Sequence, residues 1–339
     1  MKRSMVMAAL STAAVLTLST AAQAVPVLGT ITIATVPVGN AGNVADSTGY
    51  GAVSYAYNIG KYDVTATQYT AFLNAVAKTD TYALYNTFMA TDTSYGCGIT
   101  RTGISGNYTY ATSKNGDLPV NFVSWGDSAR FCNWLSKGQP TGSEGSGTTE
   151  TGSYTLNGKT SDADLMTITR NTGATYVIPT ENEWYKAAYY DQNKAGGAGY
   201  WLYSTKSNTA PDNALSLATT DPNDANYLIG SNFTDPLNYL TPVGTFAASP
   251  SAYGTFDQNG DVFQWDETNL SGWYRGLRGG SFNDGIAFLQ AGIGSSDYPA
   301  DESNVMGFRV AQVDAVPEPA SLSLLALGGL GLLVRRRKA

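Results

Sequence analysis

Apolar side chains recur at helical spacing in three stretches of the chain, and a helix-capping signal opens each of them. The pattern predicts helices within residues 65–78, 124–138 and 179–190. The first and third begin with a threonine three residues before a glutamine or glutamate, which is the capping-box spacing. The second begins at Ser124, has Asp127 at the third helical position and ends at Gly138. We therefore interpret the acid of the third box, Glu183, as a helix cap rather than a catalytic group.

The rest of the chain predicts little regular structure. It is rich in Gly, Ser, Thr, Asn and Tyr, so strands should be short, and no repeat period is evident. Residues 138–163 form a low-complexity segment in which Asn157-Gly158 predicts a surface hairpin. We expect one compact α+β domain with few short helices and long ordered loops. Such loops need packed aromatic side chains or bound ions to hold them.

The chain begins with a segment typical of an export signal. Lys2 and Arg3 precede an apolar run that ends in the small-residue triplet Ala22-Gln23-Ala24. This order predicts a signal peptide over residues 1–24, with cleavage after Ala24. An uncleaved membrane anchor is the alternative, although the run is short and interrupted by Ser and Thr.

The chain ends with a short apolar segment followed by a cluster of cations. Residues 320–334 are 15 uncharged residues, and Arg335 to Lys338 are all basic. As a helix the segment would span about 22 Å, less than the roughly 30 Å of a hydrocarbon core, so it predicts a temporary stop in the membrane. The cations should stay on the cytoplasmic side.

With the sequence VPEP before it, this tail resembles the PEP-CTERM sorting signal, here residues 316–339. The resemblance implies export in a Gram-negative-type bacterium, transient anchoring in the inner membrane, and removal of the tail by an exosortase-like protease. Proteins with such tails usually end at the cell surface or in the extracellular matrix of polymer. A permanent C-terminal anchor is the alternative.

Charge and composition exclude several classes of function for the body, residues 25–315. The chain has 27 acidic and 20 basic residues, and without the two end segments the body carries about 12 excess negative charges. It has no basic stripe for nucleic acid. The chain has no histidine, which excludes Ser-His and Cys-His catalysis, His-ligated zinc and His proton shuttles. The two cysteines, Cys97 and Cys132, could form one disulfide or stay two buried thiols.

Several motifs of the body occur in a fixed order and together resemble the formylglycine-generating enzyme domain, also called the sulfatase-modifying factor domain. They run from about residue 51 to residue 311 and include LPVNFVSWGDSARFCNWLS, YVIPTENEWYKAAYY, YGTFDQNGDVFQW, LRGGSF and MGFRVA. The resemblance implies the C-type-lectin-like fold of that family, which is irregular, has sparse secondary structure and is held together by bound calcium.

Enzymes of this family oxidise a substrate cysteine to formylglycine with two copper-binding cysteines that follow the RGGS-aromatic motif. Placed on that pattern, the two cysteine positions fall on Asp284 and Leu289. Neither side chain has the soft sulfur that holds Cu(I), so we expect no copper and no oxidase chemistry of this type. The family also uses the position of Cys132 in a disulfide. Its usual partner position is Val310 here, so a bridge would have to use Cys97.

The resemblance also implies a calcium site in the loop YGTFDQNGDVFQW, residues 253–265. The matching ligands are two side chains and two backbone carbonyls, those of Asp257, Gln264, Gly260 and Val262. The loop is not an EF-hand, because Val262 and Thr268 stand where that motif needs glycine and a bidentate glutamate. Gln264 replaces the family's glutamate and removes a charge, while Asp261 adds one nearby. Calcium accepts amide and carbonyl oxygens, so we expect a site of altered affinity.

A second implied calcium set consists of two side chains and two carbonyls, those of Asn226, Asp235, Tyr227 and Leu237. The spacing from Asn226 to Asp235 is shorter than the family's, and Asn and Asp also occupy ordinary turns. For the first loop, the alternative to a metal site is a glycine turn that presents Phe263 and Trp265 to the core.

Three functions fit these observations. The first is an exported module that has lost the copper and cysteine site and binds an extracellular glycan or peptide, for which the 22 tyrosines and six tryptophans offer stacking surfaces. The second is an enzyme of the same class that acts through an unrecognised site, although related oxidases use His-bound iron and this chain has no histidine. The third is a structural component of extracellular polymer. In each case we expect membrane contact only through the tail, before processing.

Processing at both ends can be tested by intact-mass measurement of the protein purified from its native host. We expect a mature form that starts near Val25 and ends near Pro317, because both end segments have the features of sorting signals. A surface form that retains the cations Arg335 to Lys338 would contradict the sorting interpretation.

Overall fold

The computed structural model describes residues 30–313. Within that range the helices are α1 (Ala66–Val76), α2 (Phe88–Thr91), α3 (Trp125–Ser136), α4 (Asp162–Leu165) and α5 (Glu181–Tyr189). The strands are β1 (Thr35–Val38), β2 (Tyr57–Gly60), β3 (Ile99–Thr102), β4 (Thr109–Thr112), β5 (Tyr176–Val177), β6 (Tyr190–Asp191), β7 (Gly199–Tyr200), β8 (Phe263–Leu270), β9 (Tyr274–Arg278), β10 (Ser295–Asp297), β11 (Met306–Gly307) and β12 (Ala311–Gln312). Two 3-10 turns span Leu215–Leu217 and Ile286–Leu289.

The expected signal peptide (residues 1–24) and sorting tail (residues 316–339, with its apolar segment 320–334) lie outside the described residues. None of the helices between residues 30 and 313 combines the length and the apolar character needed to cross a bilayer.

Most strands belong to two four-stranded sheets. The first has the order β1-β2-β12-β5 and is antiparallel throughout. The second has the order β10-β9-β8-β11, and β11 runs parallel to β8. Strands β3 with β4 and β6 with β7 form two separate pairs. These short strands and short helices, joined by long loops, confirm the expected α+β class with sparse secondary structure.

All three capping signals form as the sequence predicts. At the start of α1, Thr65 Oγ1 accepts a hydrogen bond from Gln68 N at 3.2 Å, and Gln68 Oε1 accepts one from Thr65 N at 3.0 Å. The same reciprocal pair forms at α3 and at α5, where Glu183 is the returning acid. These bonds satisfy backbone N–H groups that a helix start leaves without partners.

The main core lies where α1 and α3 pack against the strands, and aromatic rings fill much of it. Phe131 of α3 meets Phe72 of α1 edge-on at 5.4 Å between ring centroids, and meets Phe308 at 5.3 Å. Aromatic pairs of this kind contribute about 0.5–1.5 kcal/mol each beyond the area they bury. Packed rings therefore tie the two long helices to the C-terminal segment of the domain.

The low-complexity segment is not a surface hairpin. Asn157 and Gly158 do form a turn with left-handed φ angles of 48° and 81°. The flanking residues do not pair as strands, because the segment wraps around a buried ion pair between Arg130 of α3 and Glu150. Gly158 N donates to Glu150 Oε2 at 2.6 Å. A buried carboxylate needs its remaining lone pairs satisfied, and the turn supplies that donor.

The two cysteines do not form a disulfide in this structure. Cys97 precedes β3 and Cys132 lies in the middle of α3, and both thiols are buried and unpaired. This is the second of the two interpretations left open by the sequence. Burial raises the pKa of both thiols, which keeps them protonated and unreactive.

An acidic cluster at the start of α3 links stability to pH. The carboxyl group of Glu302 lies near enough to the capping carboxyl of Asp127 for their charges to interact, and it accepts a hydrogen bond from Asn86 Nδ2. Burial and the negative charge of Asp127 raise the pKa of Glu302 to about 8. The folded protein therefore keeps this proton at pH values where the unfolded chain has lost it. The contribution of Glu302 to the free energy of unfolding is largest below the ordinary glutamate pKa, and it is lost as pH rises towards 8.

Replacing Glu302 with glutamine should remove this decline, because an amide stays uncharged at every pH and does not repel Asp127. We expect E302Q to be more stable than the wild type at pH 9 by about 1 kcal/mol, and nearly equal to it at pH 4. Urea unfolding of both proteins at the two pH values would measure the difference. Equal stability at pH 9 would show that burial and the charge of Asp127 do not raise the pKa of Glu302.

Candidate functional site

The loop over residues 253–265 turns sharply before β8 and packs against the segment that holds Asn226. Asp257, Gly260 and Asp261 have left-handed φ angles of 60°, 81° and 61°. A Cβ atom at Gly260 would lie 1.9 Å from the Asn226 carbonyl oxygen, so only glycine fits there. Asp261 N donates to that same oxygen at 2.8 Å. The two calcium sets expected from the sequence are therefore neighbours.

Gln264 is fully buried and is bonded at both ends of its amide. Its Oε1 accepts from Trp184 Nε1 at 2.6 Å and from Arg309 Nε at 2.5 Å. Both nitrogens can only donate, so the amide oxygen must face them. The amide nitrogen therefore faces the loop and donates to the Asp257 carbonyl at 2.8 Å. An N–H group stands where a glutamate would offer an oxygen, so Gln264 does not fit the ligand role that the family resemblance implied.

Of the other members of the first set, Gly260 and Val262 are buried and Asp257 is half-buried. One carboxylate oxygen of Asp257, Oδ2, accepts from Gly244 N at 2.8 Å. Val262 is fully buried beside β8. Phe263 and Trp265 are also buried, and Trp265 Nε1 donates to the Val123 carbonyl at 3.0 Å. The loop thus presents both aromatic rings to the core, as a glycine turn would.

The second set is only partly assembled. Asn226 Oδ1 is buried and has no hydrogen-bond partner among the described residues, which suits a ligand. The Tyr227 carbonyl already accepts from Asn213 Nδ2 at 2.9 Å. The Asp235 carboxylate accepts from three donors in its own turn, at Leu237 and Asn238. Leu237 itself is 81% exposed.

Negative charge exceeds positive charge around the loop. Arg309 is fully buried and pairs with Asp63 at 2.9 Å. Asp261 is buried and Asp257 is half-buried, and no salt bridge within residues 30–313 reaches either of them. Burial raises the pKa of these acids, that of Asp257 to about 6. In the same range, no three Asp, Glu or Cys side chains are grouped as a metal cluster. A cation here would therefore need neutral oxygens as well as carboxylates, which calcium accepts.

The positions of the two redox cysteines lie in an ordered but sulfur-free turn. Asp284 closes the turn, because its carboxylate accepts from the backbone N and the hydroxyl of Ser281. Leu289 is fully buried at the end of the 3-10 turn and packs against Tyr203 and Tyr227. An apolar contact therefore occupies the second cysteine position.

A cleft of about 170 Å³, which the sequence did not predict, lies beside the second sheet. Its walls combine aromatic, apolar and charged side chains, namely Trp125, Tyr154, Met166, Ile168, Thr169, Arg170, Glu267, Asn269 and Arg275. We refer to it as the Arg170 cleft. The one sequence signal for it was the pair Asp266-Glu267, which places charges inside a strand next to the buried Trp265.

Ion pairs and hydrogen bonds hold the polar groups of the Arg170 cleft in place. Arg170 pairs with Glu183 at 2.9 Å and with Glu267 at 2.8 Å. The Tyr154 hydroxyl donates to Glu267 Oε1 at 2.5 Å. Glu183 therefore caps α5, as expected, and also orients Arg170. The guanidinium of Arg275 lies 4.0 Å from the centre of the Trp125 ring, which is a cation–π distance.

Comparison with known proteins identifies the family. Residues 32–313 match the family described as sulfatase-modifying factor enzyme 1-like domain, and residues 315–338 match the PEP-CTERM protein-sorting motif. The chain belongs to the sulfatase-modifying factor family, which confirms the resemblance drawn from its motifs. The sorting motif marks it as an exported protein.

Three known proteins illustrate the likeness. The chain is similar to hercynine oxygenase of Mycobacterium tuberculosis, with 27% identity over 154 residues that cover 40% of this chain and 32% of the relative. The match thus spans about a third of that relative's length. The structure is similar to Treponema denticola variable protein 1, with a TM-score of 0.49 and 19% identity over 84% of this chain and 97% of that one. The crystal structure of CarF has a TM-score of 0.48 and 20% identity, over 84% of this chain and 99% of CarF.

The bonding of Gln264 predicts the effect of restoring the family's glutamate. In Q264E a carboxylate oxygen would face the Asp257 carbonyl with no donor between them. At pH 8, where the new carboxyl group is ionised, we expect a loss of about 1–3 kcal/mol in EDTA, since a buried acceptor is left unsatisfied. Millimolar calcium should recover most of that loss by bridging the two oxygens. Thermal unfolding in EDTA and in calcium would measure both effects.

Gln258 offers a matched control. It is 1% exposed, and its amide nitrogen likewise donates to a carbonyl, that of Trp184, at 3.2 Å. Q258E should be destabilised to a similar extent, and calcium should stabilise it no more than it stabilises the wild type, because position 258 lies outside the implied ligand set. If calcium recovers both variants equally, or neither, the loop does not select a cation at position 264.

Proposed function

We propose that this protein is an exported module that has lost the copper and cysteine oxidase site of its family and binds a glycan or peptide in the Arg170 cleft. One observation carries the proposal: the scaffold is kept, but Asp284 and Leu289 stand at the two cysteine positions. Leucine has no lone pair for a metal and no sulfur for redox chemistry. Without the two cysteines, the scaffold can still bind a ligand in a surface cleft.

The chemistry of the Arg170 cleft supports a ligand of ring size with polar edges. Its volume of about 170 Å³ is similar to the roughly 150 Å³ cavity that accommodates benzene. The side chains of Arg170 and Glu267 keep 20% and 12% of their surface exposed, so both can be reached from solvent. They are held rigidly by Glu183 and Tyr154, which lowers the entropy lost on binding. A sugar ring, or a single polar side chain of a peptide, fits these limits.

The sorting motif supports a location outside the cell, where the protein would meet an extracellular glycan or peptide. We propose that the tail is removed by an exosortase-like protease after transient anchoring in the inner membrane, and that the body then resides at the cell surface or in extracellular polymer. Calcium is proposed as a structural cofactor of the body. The oxygenase activity named for the mycobacterial relative is not carried over, because that match covers 32% of the relative and this chain has no histidine to bind iron.

A binding screen of the purified protein against glycan and peptide arrays, with and without calcium, tests the proposal. Thr169 is exposed and lines the cleft, so Thr169→Trp should block it and reduce binding about tenfold or more. Thr167 is also exposed, two residues earlier in the chain, and does not line the cleft. Thr167→Trp should therefore bind like the wild type.

Two results would contradict the proposal. Equal binding by the two tryptophan variants would place the ligand outside the Arg170 cleft. Conversion of a sulfatase-type cysteine peptide to formylglycine, above the background without protein, would show that oxidase chemistry survives without the cysteine pair.

A further inference from the structure

A second, much smaller cavity lies behind the loop over residues 253–265. Its volume is about 10 Å³, close to the roughly 10–15 Å³ that one water molecule or one ion requires. Most of its lining is polar, and its walls are formed by Ser204, Thr205, Asp224, Ala225, Phe246, Ser249, Asp257 and Asn259. We refer to it as the Asp224 cavity. Two carboxylates therefore line a space that holds a single small species.

The carboxylate of Asp224 has no hydrogen-bond partner among residues 30–313. The residue is 1% exposed, and both of its carboxylate oxygens lack a hydrogen-bond donor among the described residues. No salt bridge between residues 30 and 313 involves it. Its backbone is fixed, because Asp224 N donates to Ser249 Oγ at 2.9 Å. A carboxylate buried this deeply without a donor or a cation is strongly unfavourable, so the geometry itself points to a missing positive partner.

The residues around Asp224 supply further negative charge and oxygen atoms that could ligate a cation. Asp212 lies on the neighbouring segment, which pairs with Asp224 as a short parallel bridge. Across the cavity, Asp257 uses one carboxylate oxygen to accept from Gly244 N at 2.8 Å. The side-chain oxygen of Asn259 accepts from Ser204 N at 2.7 Å and has a second lone pair. Carboxylate, amide and hydroxyl oxygens without nitrogen or sulfur form a donor set that suits calcium or magnesium.

We propose that a divalent cation, calcium rather than magnesium, binds in the Asp224 cavity between Asp224 and Asp257. The site shares only Asp257 with the two ligand sets that the family resemblance implied. It is compatible with the hydrogen bond in which the Gln264 amide already satisfies the Asp257 carbonyl, because the proposed site uses the Asp257 side chain and not that carbonyl. Calcium is favoured because it tolerates the irregular geometry that segments from distant parts of the chain provide.

A cation in this cavity would join three loops that have little secondary structure of their own. They are the segments around Ser204, Asp224 and Asp257, which meet only through side chains and isolated hydrogen bonds. The ion would therefore stabilise this side of the domain in proportion to its binding, since it does not bind the unfolded chain.

The test measures calcium uptake and thermal stability of the full-length protein after thorough chelation. We expect about one calcium per chain by elemental analysis, a higher melting temperature in calcium than in EDTA, and a weaker response to magnesium. Asp224→Asn should weaken calcium binding about tenfold or more and remove most of the melting shift. In EDTA the same variant should melt at a higher temperature than the wild type, because an uncompensated buried charge has been removed.

Asp212→Asn is the matched control. Asp212 is an exposed acid beside Asp224 but does not line the cavity, so this variant reports only the general loss of negative charge. It should keep most of the calcium response. If Asp224→Asn does not fold, Asp257→Asn must show the loss instead. The proposal is overturned if the wild type takes up no calcium, which leaves a single water in the cavity, or if the variant that folds responds to calcium as the wild type does.

Discussion

The buried guanidinium of Arg309 joins the two sheets to the loop before β8. It donates to the Gly60 carbonyl at the end of β2, to the Phe256 carbonyl in the loop and to Gln264 on β8, and it pairs with Asp63. The residue is 0% exposed, so each of these donors must be satisfied inside the protein. Arg309 also lies between β11 of the second sheet and β12 of the first. One side chain therefore fixes how the two sheets meet.

The hydrogen bonds of Arg309 also fix the orientation of Gln264 beside the loop over residues 253–265. Because Arg309 and Trp184 both donate to Gln264, the amide of Gln264 can turn only its nitrogen towards the loop. That nitrogen donates a hydrogen bond to the Asp257 carbonyl and so ties the loop to β8. The hydrogen bond from Gln264 to Asp257, and the cation proposed near Asp224, would both stabilise long loops that contain little regular secondary structure.

The sequence predicted the features whose partners are close along the chain. Each helix cap depends on two residues three positions apart, so Thr65 with Gln68 could be recognised directly. The family motifs identified the scaffold and the loss of the cysteine pair for the same reason. The orientation of Gln264 could not be predicted, because it depends on partners 80 and 45 residues away. Likewise, Arg170 and Glu267 of the cleft are 97 residues apart, and Asp224 alone looks like an ordinary turn residue.

Because β12 is the last strand of the described residues and lies inside the first sheet, that sheet can form fully only at the end of synthesis. This two-residue strand is inserted between β2 and β5, and the next residue, Val313, donates to the Thr175 carbonyl. The sorting motif begins at residue 315. At about 3.5 Å per residue, two residues of chain allow a separation of at most roughly 7 Å between Val313 and the start of that motif. The first sheet is complete only when β12 has been synthesised and has paired with β2 and β5. The strand that completes the sheet and the start of the sorting motif are therefore only a few residues apart.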